Sequence, residues 1–306
     1  MACLICLGAL KSGEQDTHQR CVKGLFGSRS IPALDIELAK LHTVAFAMVG
    51  RTSLSGVQRK ISLTLSPDRT RLQVATGAGL FVLKPETEVY PELPQNELLT
   101  MRLAERANIQ IPACGLIRLK DGALAFISRR FDRLEGSRKL RQEDFCQLAE
   151  KSPKEKYRGS AELCAHLVRQ YATEPLVELL RLFHRFVFTW LTGNGDMHLK
   201  NLSLVTGPDE IDRLSPAYDL MCTRLIIPDD QLALPVGGKR DGLSRKDWLS
   251  FAAYCEIPRP AATRALAKLA KSANDNLELI ERSRLGQDGR HAYLELVLSR
   301  LAGLAA

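Results

Sequence analysis

The chain opens its regular structure with a period of two. Residues 62–65 and 71–74 alternate apolar and polar side chains, the pattern of strands lying on a half-buried sheet. Gly77 and Gly79 punctuate a turn before Leu80-Phe81-Val82-Leu83, a short apolar strand that ends at Lys84-Pro85. Beyond Pro94 the period lengthens: Leu98, Met101 and Leu103 predict a helix over 96–107. Residues 116–119 and 124–128 flank Asp121-Gly122, which predicts a hairpin.

The pattern changes after Arg133. Residues 142–150, 160–171 and 173–191 read as helices, the last with Thr173 as N-cap and Pro175 in its first turn. That helix is apolar nearly all round, so it is expected to be buried and central. Residues 202–205 read as a strand, and 261–282 and 288–301 as two further helices. The order, strands with one helix and then mostly helix, predicts an α+β protein of two lobes in the layout of protein kinases. Residues 1–133 form the small β-rich lobe and 134–306 the larger helical one, with the boundary near residues 131–138. No internal repeat or low-complexity tract is present, which argues against a solenoid or a disordered tail.

A chain of 306 residues, 45% hydrophobic and 25% charged, has the composition of an ordinary globular protein. Its net charge of +8 favours the approach of polyanions without naming one. The opening MACLICLGAL is apolar, but Lys11, Glu14 and Asp16 follow too soon for a secretory signal. Residues 183–191 are too short an apolar run, and too charged upstream, to span a bilayer. The expectation is a cytoplasmic protein without membrane contact.

Eight cysteines in such a chain do not predict a disulfide framework. Cys114, Cys146, Cys164, Cys222 and Cys255 sit in apolar surroundings and read as small core residues. Cys3, Cys6, His18 and Cys21 differ, giving C-x2-C and then H-x2-C, a spacing able to hold zinc. The gap holds little but a polar loop and no second cluster supports it, so reduced, metal-free thiols are the favoured expectation.

The chemistry concentrates after the apolar helix, in Gly193-Asn194-Gly195-Asp196-Met197-His198-Leu199-Lys200-Asn201. Asp196 and Asn201 have the D-x4-N spacing of a kinase catalytic loop. A carboxylate there can take the proton of an attacking hydroxyl while an amide oxygen, one tight loop on, ligates Mg²⁺. Lys200 stands where a cation could neutralise a transferring phosphoryl group. Asp219, eighteen residues beyond Asn201 and across a Gly207-Pro208 hairpin, is the second carboxylate expected, the one to hold the metal, although no DFG sequence surrounds it. An isolated Asp and Asn more often shape a turn; the ordered set of three behind a buried helix points to catalysis. Upstream, Gly50 to Gly56 (GRTSLSG) is small and polar enough to cradle phosphate, and Lys84 at a strand end can pair with Glu97 of the following helix.

These motifs together resemble the HipA family of toxin kinases. Ser53-Leu54-Ser55-Gly56-Val57-Gln58-Arg59-Lys60 is similar to its serine-containing phosphate loop and Arg130-Phe131-Asp132-Arg133 to its interlobe segment. Residues 142–147, 196–203 and Tyr218-Asp219 resemble its later motifs. The resemblance implies an ATP- and Mg²⁺-dependent serine/threonine kinase that phosphorylates an aminoacyl-tRNA synthetase, arrests translation, and autophosphorylates at Ser53 or Ser55. It implies ATP contacts at Ser55, Gly56, Val57, Gln58, Arg59, Lys60, Lys84, Arg129, Arg130, Phe131, His198, Asn201, Tyr218 and Asp219. Catalysis falls to Asp196 and Lys200, and the metal to Asn201 and Asp219. Position 129 is Arg where longer members carry Glu. The short segment before Gly50 resembles the HipT form, in which a separate small protein, HipS, supplies an N-terminal subdomain. The partners implied are therefore a HipS-like protein and a DNA-binding HipB-like antitoxin, with no direct DNA contact by this chain.

Two rivals stand beside this reading. A small-molecule phosphotransferase of the aminoglycoside or choline kinase type shares Gly195-Asp196-x-His198 with Asn201. A basic regulatory partner in a DNA-bound complex would need no catalysis, but no helix-turn-helix with a clustered basic face is evident.

Overall fold

The computed structural model describes residues 2–41, 60–75, 77, 79–87, 89–134 and 138–305. The class is α+β. A five-stranded antiparallel sheet contains β1 (Ile61–Leu65), β2 (Leu72–Val74), β3 (Phe81–Pro85), β4 (Cys114–Arg118) and β5 (Leu124–Arg129), in the order β2-β1-β3-β5-β4. The alternating positions behave as expected: Ile61 and Leu63 of β1 are buried on one face. Two helices attend this sheet, α1 (Gln19–Phe26) and α2 (Leu93–Arg106). Helix α2 begins on Leu93-Pro94, where proline costs no hydrogen bond.

The remainder is helical around a small sheet of β6 (Gln142–Asp144), β7 (Ser203–Thr206) and β8 (Asp212–Leu214). Its helices are α3 (Phe145–Leu148), α4 (Ala161–Tyr171), α5 (Pro175–Leu191), α6 (Arg245–Tyr254), α7 (Arg259–Asp275), α8 (Glu278–Arg282) and α9 (Gln287–Ala305). Helix α5 is central and buried from Leu182 through Leu191 apart from His184, with Phe183 and Phe186 packed on Phe251 of α6. A separate apolar cluster joins Leu98, Leu99 and Met101 of α2 to Phe188 of α5 and Tyr293 of α9. Tyr293 meets the Thr100 hydroxyl at 3.0 Å.

Three local expectations need correction. Residues 142–150 are not one helix: 142–144 pair with β7, and only Phe145–Leu148 turn helical behind a capping box of Asp144 and Gln147. Thr173 does not cap α5; its Oγ1 accepts from the Asp212 N–H at 2.9 Å, and Glu174 stands at the N-cap. The stretch 261–282 breaks after Asp275 into α7 and α8.

Candidate active site

A cavity of about 410 Å³ opens where α2, the loop after α5 and the segment after β8 converge. Lys60, Lys84, Asp196, Asn201 and Asp219 all line it. Five residues separated by up to 159 positions in sequence are thus brought to one cavity.

Lys84 is its fixed centre. Pairing opposite Phe126 in the β3–β5 ladder directs its side chain inward, and the ammonium lies 5.4 Å from the Phe126 ring centroid. Its Nζ donates to Glu97 Oε1 and to Asp219 Oδ1, both at 2.5 Å. Burial works against charge on Lys84, but the Asp219 and Glu97 carboxylates outweigh it and hold its pKa above the ordinary lysine value. Burial also pushes Glu97 up, partly offset by Lys84. Asp219 goes the other way: Lys60, at 2.6 Å from Oδ2, and Lys84 overcome burial and keep it ionised. Asp219 also holds a left-handed backbone, φ 55°, which Asp tolerates better than most side chains.

Helix α2 contributes more than Glu97. The adjacent Asn96 donates from Nδ2 to the Cys222 carbonyl at 2.9 Å and accepts from the Cys222 N–H at 2.8 Å. The helix therefore grips the backbone three residues past Asp219.

The loop after α5 is stiffened from within. Gly193 takes φ 67° to end the helix, and Asn194 Oδ1 accepts from the Asp196 N–H at 2.9 Å. Gly195 N donates to Thr223 Oγ1 at 2.7 Å, and Thr223 in turn donates to Asp230. A Cβ on Gly195 would lie 2.0 Å from Asp230 Oδ2 and 2.5 Å from the Gln231 carbonyl, so only glycine fits. Asn201 donates from Nδ2 to the Asp196 carbonyl at 2.8 Å, closing the D-x4-N loop and leaving its Oδ1 without a partner among the described residues.

Asp196 is 37% exposed at its side chain and accepts a 2.6 Å hydrogen bond from the Tyr157 hydroxyl. Burial and this bond both raise the Tyr157 pKa, so the phenol remains a donor. His198 Nε2 lies 3.8 Å from the same carboxylate oxygen. Burial drives His198 down to about 4, with Lys156 reinforcing and Asp196 opposing, so the ring is neutral at pH 7. Lys156 is itself buried, its Nζ making no hydrogen bond among the described residues, 4.9 Å from the Tyr157 ring centroid.

Other expected residues stand elsewhere. Lys200 does not line the cavity; its Nζ pairs with Asp144 Oδ2 at 2.9 Å, tying the loop to the end of β6. Tyr218 braces the loop from beneath, donating to the Lys200 carbonyl at 3.1 Å and stacking on Phe131 with centroids 5.6 Å apart. Arg130 makes a two-pronged bond to Asp132, and Arg129 continues strand β5. Ser53, Ser55, Gly56, Val57, Gln58 and Arg59 lie outside the described residues. Tyr157, Lys156, Thr223 and Asp230 were not anticipated; they arrive from loops with no spacing pattern of their own.

The donor set suits a metal-bound polyphosphate. Asp219 and the free Oδ1 of Asn201 are hard oxygen ligands of the kind Mg²⁺ takes, and two ammonium groups stand beside them. Those ammonium groups are the only counter-charges to Asp219 among the described residues.

Comparison with known proteins agrees. The family model of the HipA-like C-terminal domain matches residues 52–277. Two Sinorhizobium fredii proteins described by name as putative kinases are similar. Y4mE is 30% identical over 235 residues, 72% of this chain and 55% of that protein. Y4dM is 33% identical, covering 68% and 54%. The chain thus spans about half the length of these relatives. Among solved structures, HipA of Shewanella oneidensis, in a complex with HipB and operator DNA, superposes with a TM-score of 0.72 at 23% identity. That match covers 83% of this chain and 65% of that one. The Helicobacter pylori proinflammatory kinase CtkA gives 0.56 at 15% identity, covering 79% and 93%. The fold is kinase-like.

Proposed function

The chain belongs to the family of HipA-like C-terminal domains, and on that premise we infer that it is an ATP- and Mg²⁺-dependent kinase of protein serine or threonine hydroxyls. The observation that carries the reading is the buried Lys84 shared between Glu97 and Asp219, facing Asp196 and Asn201 across one cavity. No merely structural ion pair needs a third carboxylate and an unsatisfied amide oxygen beside it.

Mg·ATP, when bound, supplies the transferable phosphoryl group together with the cation that neutralises it. Asn201 and Asp219 would hold the metal, and Lys60 and Lys84 would offer positive charge to phosphate oxygens. Asp196 would receive the substrate hydroxyl at the oxygen now bonded to Tyr157, orient it, and take its proton as the hydroxyl oxygen bonds the γ-phosphorus and the bond from that phosphorus to the β–γ bridging oxygen breaks, its electron pair leaving with ADP. Neutral His198 places no positive charge beside the Asp196 carboxylate. Lys200 acts through Asp144 as a positioning residue instead of touching phosphate. Residues 1–133 serve as the nucleotide lobe and 134–306 as the catalytic lobe. The natural setting on this reading is a cytoplasmic toxin–antitoxin system. An aminoacyl-tRNA synthetase is the substrate, and a DNA-binding antitoxin such as the HipB seen with the Shewanella protein is the partner.

Purified protein incubated with γ-labelled ATP and a cell lysate tests this. Label on protein, absent with Asp196→Ala while ATP binding persists, supports the reading. Label on small molecules instead favours an aminoglycoside- or choline-kinase type of phosphotransferase. Transfer at undiminished rate by Asp196→Ala removes the catalytic assignment.

A further inference from the structure

The N-terminal cluster plays no part in that chemistry, yet it is built to one purpose. Residues 3–8 form a tight hairpin, with Cys3 N–H donating to the Gly8 carbonyl at 2.9 Å and Leu7 N–H to the Cys3 carbonyl at 3.0 Å. Leu7 accepts a left-handed φ of 58° to close it. The hairpin brings Cys3 and Cys6 together, and α1, starting just after His18, presents Cys21 to them. The ligand atoms of Cys3, Cys6, His18 and Cys21 all lie within 4.8 Å of one another. A tetrahedron with metal–sulfur bonds of about 2.3 Å has edges of roughly 3.8 Å, so the four need only a small contraction. Cys6 Sγ and Cys21 Sγ are already 3.3 and 3.7 Å from His18 Nδ1.

Three independent details fit a metal and not a chance gathering of thiols. His18 turns Nδ1 inward because Nε2 faces the Ala9 carbonyl at 2.9 Å and Glu14 Oε2 at 3.5 Å. An acceptor on the outer nitrogen fixes the proton there and leaves Nδ1 a bare lone pair, the usual outer support of a ligating histidine. Backbone N–H groups of Ile5 and His18 point at Cys3 Sγ from 3.4 and 3.5 Å, as they do toward a thiolate. Gly8 leaves room beside the ligands: a Cβ there would press to 3.3 Å from Cys6 Sγ and touch the His18 ring at 3.4 Å.

We propose that Cys3, Cys6, His18 and Cys21 bind one structural Zn²⁺ through three thiolates and Nδ1. Three soft ligands and an imidazole, with no carboxylate in the set and no open position, match a closed zinc site. The polar gap between the ligand pairs, which argued against zinc in the sequence, is the loop that delivers Ala9 and Glu14 to His18. The site has mechanical leverage. Leu4 accepts from the N–H of Leu116 in the edge strand β4 at 2.7 Å, and Arg284, just past α8, donates to the Ala2 carbonyl at 2.8 Å. The metal thus pins a segment that covers a sheet edge and reaches the C-terminal helices.

The test uses the full chain purified in reductant without chelator. Elemental analysis should find about one zinc per chain; after removal, cobalt(II) should give thiolate charge-transfer and tetrahedral bands that zinc abolishes. Alkylation followed by peptide mass mapping should show Cys6 and Cys21, both partly accessible, protected by zinc and exposed on its removal. Cys6→Ser/Cys21→Ser should lose the metal; should that variant not fold, the wild-type measurements decide. A folded chain with eight alkylatable thiols and no metal overturns the proposal. So does one with two thiols fewer and no metal, which would mean a disulfide, or a double variant that keeps its zinc.

Discussion

Tyr157 donates a 2.6 Å hydrogen bond to Oδ1 of Asp196, the oxygen that on the proposed reading receives the substrate hydroxyl. Tyr157 is itself 44% exposed, so it can leave that position without disturbing the core. A bond to a charged acceptor is worth about 1.5–3 kcal/mol, and substrate has to replace it. Tyr157→Phe should therefore lower KM for the protein substrate, by about tenfold for each 1.4 kcal/mol released. Steady-state kinetics at saturating ATP checks this, and an unchanged or higher KM would show instead that the phenol helps to seat the substrate.

Lys84 is almost wholly buried between two carboxylates. Lys84→Met should cost about 3–5 kcal/mol in stability, since Glu97 and Asp219 lose their shared counter-ion. Millimolar Mg²⁺ should restore part of the lost Tm in this variant and have little effect on Asp219→Asn, because the cation can take over the vacated charge only at Asp219. Thermal unfolding with and without Mg²⁺ separates the cases.

Gly195→Ala forces a Cβ into Asp230 and the Gln231 backbone. The loop must move, and with it Asp196. Displacement of a catalytic group by about 1 Å costs on the order of 100-fold in turnover, so kcat should fall by that order with the fold intact by circular dichroism. A kcat within a few-fold of wild type would mean that the 230–231 segment yields.

His198 gives a pH signature. Its pKa falls from 6.5 in the unfolded chain to about 4 when folded, so between these values the unfolded state binds more protons. The stability involved is present above pH 6.5 and is lost as pH falls towards 4, up to about 3 kcal/mol at 1.4 kcal/mol per unit. Urea unfolding at pH 7 and at pH 4.5 should show a smaller difference for His198→Asn than for wild type. Equal differences would place the acid sensitivity elsewhere.

The parts of the site legible in the sequence were those whose chemistry imposes a spacing. Asp196 and Asn201 close one loop on each other, and Lys84 and Glu97 sit on consecutive elements, so their relation is local. Tyr157 and Asp230 reach the same wall from loops, and no periodicity encodes that. Lys200 illustrates the same limit: its position in the motif fits a phosphate contact, and its pairing with Asp144, 56 residues upstream, has no local signal. Residues 142–144 read as helical in isolation because their strand character exists only through pairing with β7. Two helix starts do carry a local signal: Asp144 with Gln147, and Ser244 with Asp247, form capping boxes at the starts of α3 and α6.

If the site works as proposed, the paired hydrogen bonds between Asn96 and Cys222 limit how it can be switched. Where a kinase is governed by swinging its glutamate-bearing helix outward, that helix has to be free to travel independently of the metal loop. Here the residue next to Glu97 is buttoned to the strand of chain leaving Asp219, and Thr100, one turn further along, meets Tyr293 of the last helix. An outward swing would tear the metal loop and the C-terminal packing along with the ion pair. The catalytic frame is thus assembled as the chain folds, and control is left to whatever governs entry: the phenol over Asp196, and the company the protein keeps.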